Sequence, residues 1–289
     1  MQTPVNALKL SGMALATALL AACATSPEPS AEAVAKSDTL VVLTQKMELL
    51  TIKSAQPGKV RERTAVTGLP AGETLVGVDF RISKSVLFAL SSAGRLYTLD
   101  LTSGALKPVG TGAGTALQGT AFGVDFNPVA DRVRVVSNTG QNLRLHPDTG
   151  ALAATDPAVS YEPTDRQANQ KPELLGAAYT YNKKDPKLTT NYAIDRKSGT
   201  LVTQGSAEGV QPVVSPNTGL LRTVGSLGTG PLLDAAFDIA DVSDVAFTAV
   251  RTATQPATQL YTVNLTTGKA TRVGTLADGV AVIGMAVEP

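Results

Sequence analysis

The chain has 289 residues, 43% hydrophobic and 17% charged, with no tryptophan, one cysteine, one histidine and a formal charge of +1. That is enough chain for a sizeable core. Near-neutral charge without a basic, aromatic-interleaved stripe argues against nucleic acid as a partner, and a lone cysteine and histidine exclude a disulfide framework and a multi-histidine zinc site.

At the N-terminus, Lys9 precedes an apolar run of small residues, Met13 to Ala22, which is too short for a bilayer span of about 20 residues and matches a signal-peptide core. The run ends in Leu20-Ala21-Ala22-Cys23, which resembles the lipobox of bacterial lipoproteins. The resemblance implies that residues 1–22 are a lipoprotein signal peptide and that Cys23 is lipidated, becomes the mature N-terminus and tethers the protein to a membrane. Ala24, where an Asp would favour the inner membrane, implies the outer membrane of a bacterial cell envelope. Residues 23–38, rich in Pro, Ser and Glu, lack apolar periodicity and read as a flexible tether. One domain is expected over 39–289.

From Thr39 onward, short strands alternate with turn signals, and no long window carries a 3.6-residue period. Strands are expected at 40–43, 47–52 and 60–66, followed by 75–80, which contains Gly77-Val78-Asp79-Phe80. The next set spans 86–90, 95–101 and 105–109 and ends in 121–126, where Gly123-Val124-Asp125-Phe126 repeats the same four residues. A third set covers 132–136, 142–145, 151–154 and 175–180. A fourth covers 190–194, 200–204, 220–224 and 235–239, and a fifth 245–250, 259–265, 270–273 and 282–287. Repetition every 40 to 60 or so residues with β-type content marks a propeller. The expected fold is therefore an all-β propeller of five four-stranded blades. The first three strands and the last share a blade, which closes the ring and leaves no open edge. A β-sandwich, or a sixth blade within 155–175 or 205–219, is the alternative.

Turns at 100–104, 146–150, 195–199 and 264–268, read as joining second and third strands of the sets, place Asp, Asn or Pro early and Gly last, which suits tight hairpins. Their aspartates, and His146 before Pro147, are expected to form turns. No nucleophile elbow, phosphate loop or dinucleotide fingerprint is present.

Two clusters remain as candidate sites. Asp79, Asp125 and Asp238 share one register position of the organising strands, with Ala178 and Ala286 in the other two blades. Three carboxylates on inner strands can converge on a divalent cation, calcium or magnesium, since hard cations take oxygen ligands; alternatively each locks its blade to the next. The polar stretch 127–145 offers Arg134 and Arg144, with Asn138 and Gln141 on the adjoining hairpin, as an anion- or sugar-binding edge, because guanidinium forks match carboxylates and phosphates. Its alternative is a solvated edge paired with Asp131 and Asp148. The longer loops 155–174 and 205–219 are further places for recognition on a rigid ring.

The run from Gly123 to Arg144, together with Leu96–Asp100, Leu260–Asn264 and Thr223–Gly228, resembles the bacterial domain of unknown function 4394. The resemblance spans about Leu75 to the C-terminus; it implies an exported, propeller-like protein and supplies no catalytic residues. The reading that unites these features is a non-enzymatic, lipid-anchored envelope propeller that binds a protein or glycan and needs no cofactor. The competing reading is a metal-dependent hydrolase of lactonase or esterase type, with the three aspartates holding the cation.

Overall fold

A computed structural model describes Met1, Gln2 and residues 37–289. The expected signal peptide beyond Gln2, Cys23 and nearly all of the expected tether lie outside the described residues. The domain opens with β1 (Thr39–Thr44), β2 (Glu48–Lys53) and β3 (Val60–Ala65). The second blade is β4 (Leu75–Arg81), β5 (Val86–Ser91), β6 (Leu96–Leu99) and β7 (Leu106–Pro108). The third is β8 (Phe122–Asn127), β9 (Arg132–Ser137), β10 (Asn142–Leu145) and β11 (Leu152–Thr155). After β12 (Ser160–Tyr161), the fourth blade is β13 (Leu174–Tyr179), β14 (Asn191–Asp195), β15 (Thr200–Gln204) and β16 (Leu220–Ser226). The fifth is β17 (Leu232–Ile239), β18 (Ala246–Thr252), β19 (Gln259–Val263) and β20 (Ala270–Thr275), and β21 (Val282–Val287) ends the chain. Each blade is an antiparallel sheet that starts at the axis, and β21 pairs with β1 to complete the first blade in the order β21-β1-β2-β3. The expected five-bladed ring and its closure are what the structure shows.

The irregular stretches do not build a sixth blade. β12 adds to the outer edge of the fourth blade, parallel to β16, and 205–219 contributes one short 3-10 turn, Pro216–Thr218. One expected turn also sits elsewhere. Asp195–Gly199 joins β14 to β15, the second and third strands from the axis, whereas the turns at 100–104, 146–150 and 264–268 join third to fourth strands. It therefore lies at the opposite end of the ring from the other three. Among the described residues no helix is long and apolar enough to cross a membrane.

The core lies between blades, with one apolar cluster in each of the five gaps. Phe88 of the second blade meets Phe126 of the third edge to face, ring centres 5.0 Å apart. The cluster between the third and fourth blades is the smallest, and polar side chains fill the rest of that gap.

The repeated Gly-Val-Asp-Phe divides its labour by residue. A Cβ on Gly77 would lie 2.5 Å from Val124 Cγ2, and one on Gly123 2.5 Å from the backbone nitrogen of Ala177. Glycine is thus required by the close approach of neighbouring inner strands around the axis. With Gly176 and Gly284 at the same level, the channel there narrows to about 10 Å³. The Asp follows two residues later, one step of about 6–7 Å along each strand.

Candidate functional site

The inner strands deliver three carboxylates to one level of the axis. Asp79, Asp125 and Asp238 are buried, and one carboxylate oxygen from each lies within 4.8 Å of the others. Each also reaches across a gap. Asp79 Oδ2 accepts from the Phe126 N–H at 2.7 Å, Asp125 Oδ1 from the Tyr179 N–H at 3.1 Å, and Asp238 Oδ2 from the Val287 N–H at 2.6 Å. The aspartates are therefore interblade locks and a converging acidic cluster at once, and Ala178 and Ala286 leave the other two gaps without one.

Burial, followed by the neighbouring carboxylates, raises Asp79 and Asp125 well above the ordinary carboxylate range, and burial pushes Asp238 up to about 8. Among the described residues no lysine or arginine pairs with the three. Like charges this close cannot all ionise without a counter-charge, so the cluster holds protons or a cation. Asp241, two residues past the end of the strand that carries Asp238, is raised to about 6 by burial and by Asp244. Oxygens within 4.8 Å of one another are close enough for one hard cation to touch all three.

The second candidate lies between the third and fourth blades. Arg134 faces Arg144 across β9 and β10, on the face of the blade that also carries Asp125. Far from forming a solvated edge, Arg134 is only 1% exposed. Its Nε donates to the Tyr179 hydroxyl at 2.8 Å, Nη1 to Asn142 Oδ1 at 2.6 Å and Asp156 Oδ2 at 3.0 Å, and Nη2 to Asn217 Oδ1 at 2.5 Å. Arg144 grips Asp156 with two bonds, at 2.9 and 2.8 Å. A cleft of about 120 Å³ opens beside them, walled by Asn127, Arg132, Tyr179, Ser215 and Asn217. Arg132 bonds only the backbone carbonyls of Ala130 and Asp131, so the cleft carries three guanidiniums, of which only Arg134 and Arg144 pair with the carboxylate of Asp156. Burial keeps the Tyr179 phenol protonated, raising its pKa despite Arg134. Nearby, both polar atoms of buried Asn191 and Oε1 of Gln204 have no partner among the described residues, and Gln204 Nε2 joins the network through Asn142 Oδ1 at 3.2 Å.

The other sequence candidates are placed differently. Asn138 and Gln141 do not join the arginines: Asn138 Oδ1 accepts from the Thr120 and Ala121 N–H groups, and Gln141 holds Ala116 and Gln118. They clamp the segment 116–121. Asp131 and Asp148 do not pair with Arg134 or Arg144 either. Both bind Arg81, whose guanidinium bridges from the second blade to the third. The turn reading holds for Asp100 and Asn264, which accept from backbone two or three residues on, and for His146, whose Nδ1 accepts from the Asp148 N–H at 3.2 Å.

Tyr179, Asp156 and Asn217 were not legible as site residues. Their only sequence signal was position, since Asp156 begins one of the long excursions and Asn217 lies in the other. A larger cavity of about 280 Å³, lined by Arg81, Phe126, Pro128, Asp131, Tyr181 and Pro186, adjoins the cleft through Asn127.

No curated protein matches this chain. Among solved structures, a Bacteroides uniformis protein described as a candidate 6-phosphogluconolactonase aligns over 83% of this chain and 82% of its own, at 14% identity and a TM-score of 0.45. A Bacteroides thetaiotaomicron protein of unknown function aligns over 84% and 59%, at 14% identity and 0.49. The family model described as Domain of unknown function (DUF4394) matches residues 48–286, which begins upstream of the repeats that suggested it. The chain, itself a five-bladed propeller, belongs to this family.

Proposed function

We propose that this protein is a lipid-anchored cell-envelope binding module that captures an anionic group, a carboxylate or phosphate carried by a protein or glycan, in the cleft between the third and fourth blades. The observation that carries this reading is the excess of guanidinium over carboxylate around that cleft, with Arg134 immobilised by four side chains. A fixed guanidinium needs no reordering when an anion arrives, which lowers the cost of binding. At about 120 Å³ the cleft suits one anionic group; the adjoining cavity, close to the size of an ordinary small-molecule site, has room for the rest of the ligand.

Calorimetry with inorganic phosphate and with glucuronate on the full chain carrying Cys23→Ser tests this. Saturable one-site binding, weakened at least tenfold by Arg144→Gln, is the expected result. No heat with either anion, or heat unchanged in Arg144→Gln and Arg132→Gln, defeats it. The anchor is tested separately, by palmitate labelling of the wild-type chain and its loss in Cys23→Ser.

A second reading has one observation in its favour, the convergence of Asp79, Asp125 and Asp238. Calcium or magnesium there would act as a pin at the axis. A hydrolytic role has less support, because each carboxylate already spends one oxygen on a neighbouring blade. Calcium and magnesium titration of the parent and of Asp79→Asn/Asp125→Asn decides it: saturable binding lost in a folded variant supports the cation.

A further inference from the structure

One end of the ring gathers exposed aliphatic side chains that packing does not explain. The hairpins leading from each inner strand to its neighbour all lie at this end, as does the β15–β16 connection. Val129 is 42% exposed in the first of these loops to follow the third blade's inner strand, Leu188 42% in the β13–β14 loop and Val242 65% in the β17–β18 loop. Val210, at 41%, and Val213, at 73%, lie on the β15–β16 connection. Among the described residues the opposite end carries one large hydrophobic this exposed, Leu233 at 49% at the start of β17. Loop tips of three adjacent blades thus present exposed aliphatic side chains at one end of the ring.

The path of the chain says what covers them. β1 begins beside the end of β21, where the Glu288 N–H bonds the Thr39 carbonyl at 2.9 Å. The segment back to Cys23 therefore leaves from this same end. From Cys23 to Thr39 it can reach at most about 50–60 Å, and it need not wrap around the domain for this end to face a bilayer. The arginine cleft opens between Asn127–Arg132 and Ser215–Asn217, loops of the same end. Exposed Lys183 ties two of these loops together by donating to the Val242 carbonyl.

We propose that this end of the propeller docks on a lipid surface, its aliphatic loop tips entering the interface and the arginine cleft taking the phosphate of a lipid headgroup. The proposal rests on the lipid-anchored binding-module reading and names the source of its anion. Shallow burial of a few aliphatic tips combined with electrostatic attraction is the way peripheral proteins hold a bilayer.

The test is sedimentation of the full chain carrying Cys23→Ser with vesicles of phosphatidylcholine alone and of phosphatidylcholine with 30% phosphatidylglycerol. The expected result is binding without the anchor, stronger on the anionic vesicles. Val213→Ser/Val242→Ser should weaken it at least tenfold, with the thermal midpoint and the heat of phosphate binding unchanged. Arg144→Gln should abolish the preference for phosphatidylglycerol. Phosphate binding without vesicle binding overturns the docking and leaves the cleft reading standing. Vesicle binding that the valine variants do not alter overturns the assignment of this face, as does binding that prefers neutral vesicles. Vesicle binding lost in the valine variants, without heat from phosphate, supports the docking face and removes the cleft from it.

Discussion

Asp125 and Arg134 stand directly opposite each other on β8 and β9 and grip the same residue of the next blade at its two ends. The carboxylate accepts from the backbone N–H of Tyr179 at 3.1 Å, and the guanidinium donates to its hydroxyl at 2.8 Å. The two form no ion pair with each other; Arg134 pairs with Asp156 instead. Tyr179 is thereby fixed, and with it the wall of the cleft.

Removing the guanidinium should therefore loosen the gap between blades more than it loosens its own sheet. Arg134→Leu is expected to cost about 3 kcal/mol, the scale for removing one partner of a buried pair, read by urea denaturation. In a cycle with Tyr179→Phe, the coupling between the two is expected to be about 1 kcal/mol or more. Strict additivity would mean that Arg134 acts through Asp156, Asn142 and Asn217 and not through Tyr179.

The glycines of the repeat make a sharper prediction, because the obstacles at two of them differ. A Cβ at Gly77 meets the side chain of Val124, whereas one at Gly123 meets the backbone of Ala177. Gly77→Ala should cost about 1–3 kcal/mol and be partly rescued by Val124→Ala, which removes Cγ2 but leaves the Val124 Cβ 2.8 Å from the new methyl. For Gly123→Ala no side-chain deletion relieves the clash, so the loss should be greater and resist rescue. Thermal unfolding of the two singles and the Gly77→Ala/Val124→Ala double variant checks the difference.

Separating Asn138 and Gln141 from the arginines gives a third prediction. Asn138→Ala releases the Thr120 and Ala121 N–H groups and should lower stability by about 1 kcal/mol while leaving phosphate affinity at its parental value. Arg144→Gln should do the reverse. Calorimetry and denaturation on both variants separate clamp from cleft.

These contrasts show where sequence reasoning reached. The ring was legible because the glycine and aspartate of each repeat answer to constraints of the repeat itself, the close approach of inner strands and the need to bond the next blade. Ring closure was legible because the first three strands lacked an inner partner. The cleft was legible only as Arg134 and Arg144, which one hairpin places together. Tyr179, Asp156 and Asn217 come from three other segments, and only the packing of blade against blade brings them to the arginines. Arg81 escaped notice for the same reason, since its partners Asp131 and Asp148 lie in another blade. Asp195–Gly199 misled because a turn motif reports local geometry and not the end of the ring it occupies.

The aspartate cluster predicts how stability depends on pH. An unfolded aspartate titrates near 3.9, whereas burial pushes Asp238 up to about 8 and raises Asp79 and Asp125 in the same direction. Between about pH 4 and 8 the native state therefore binds more protons than the unfolded chain, and stability falls as pH rises through that window, by about 1.4 kcal/mol per unit for each proton retained. Asp238→Asn removes one titrating group but keeps an oxygen for the Val287 N–H, so its profile should be flatter and its stability at pH 8 at least that of the parent. Asp238→Ala also leaves the Val287 and Ile239 N–H groups unpaired and should be less stable at every pH, by about 1–3 kcal/mol for each group. Urea denaturation at pH 5, 6.5 and 8 reads all three. Repeating the series with millimolar calcium separates protons from a cation. A parental slope that calcium abolishes, while the Asp238→Asn profile stays unchanged, means that a metal ion supplies the counter-charge at the axis; a slope indifferent to calcium leaves the carboxylates sharing protons.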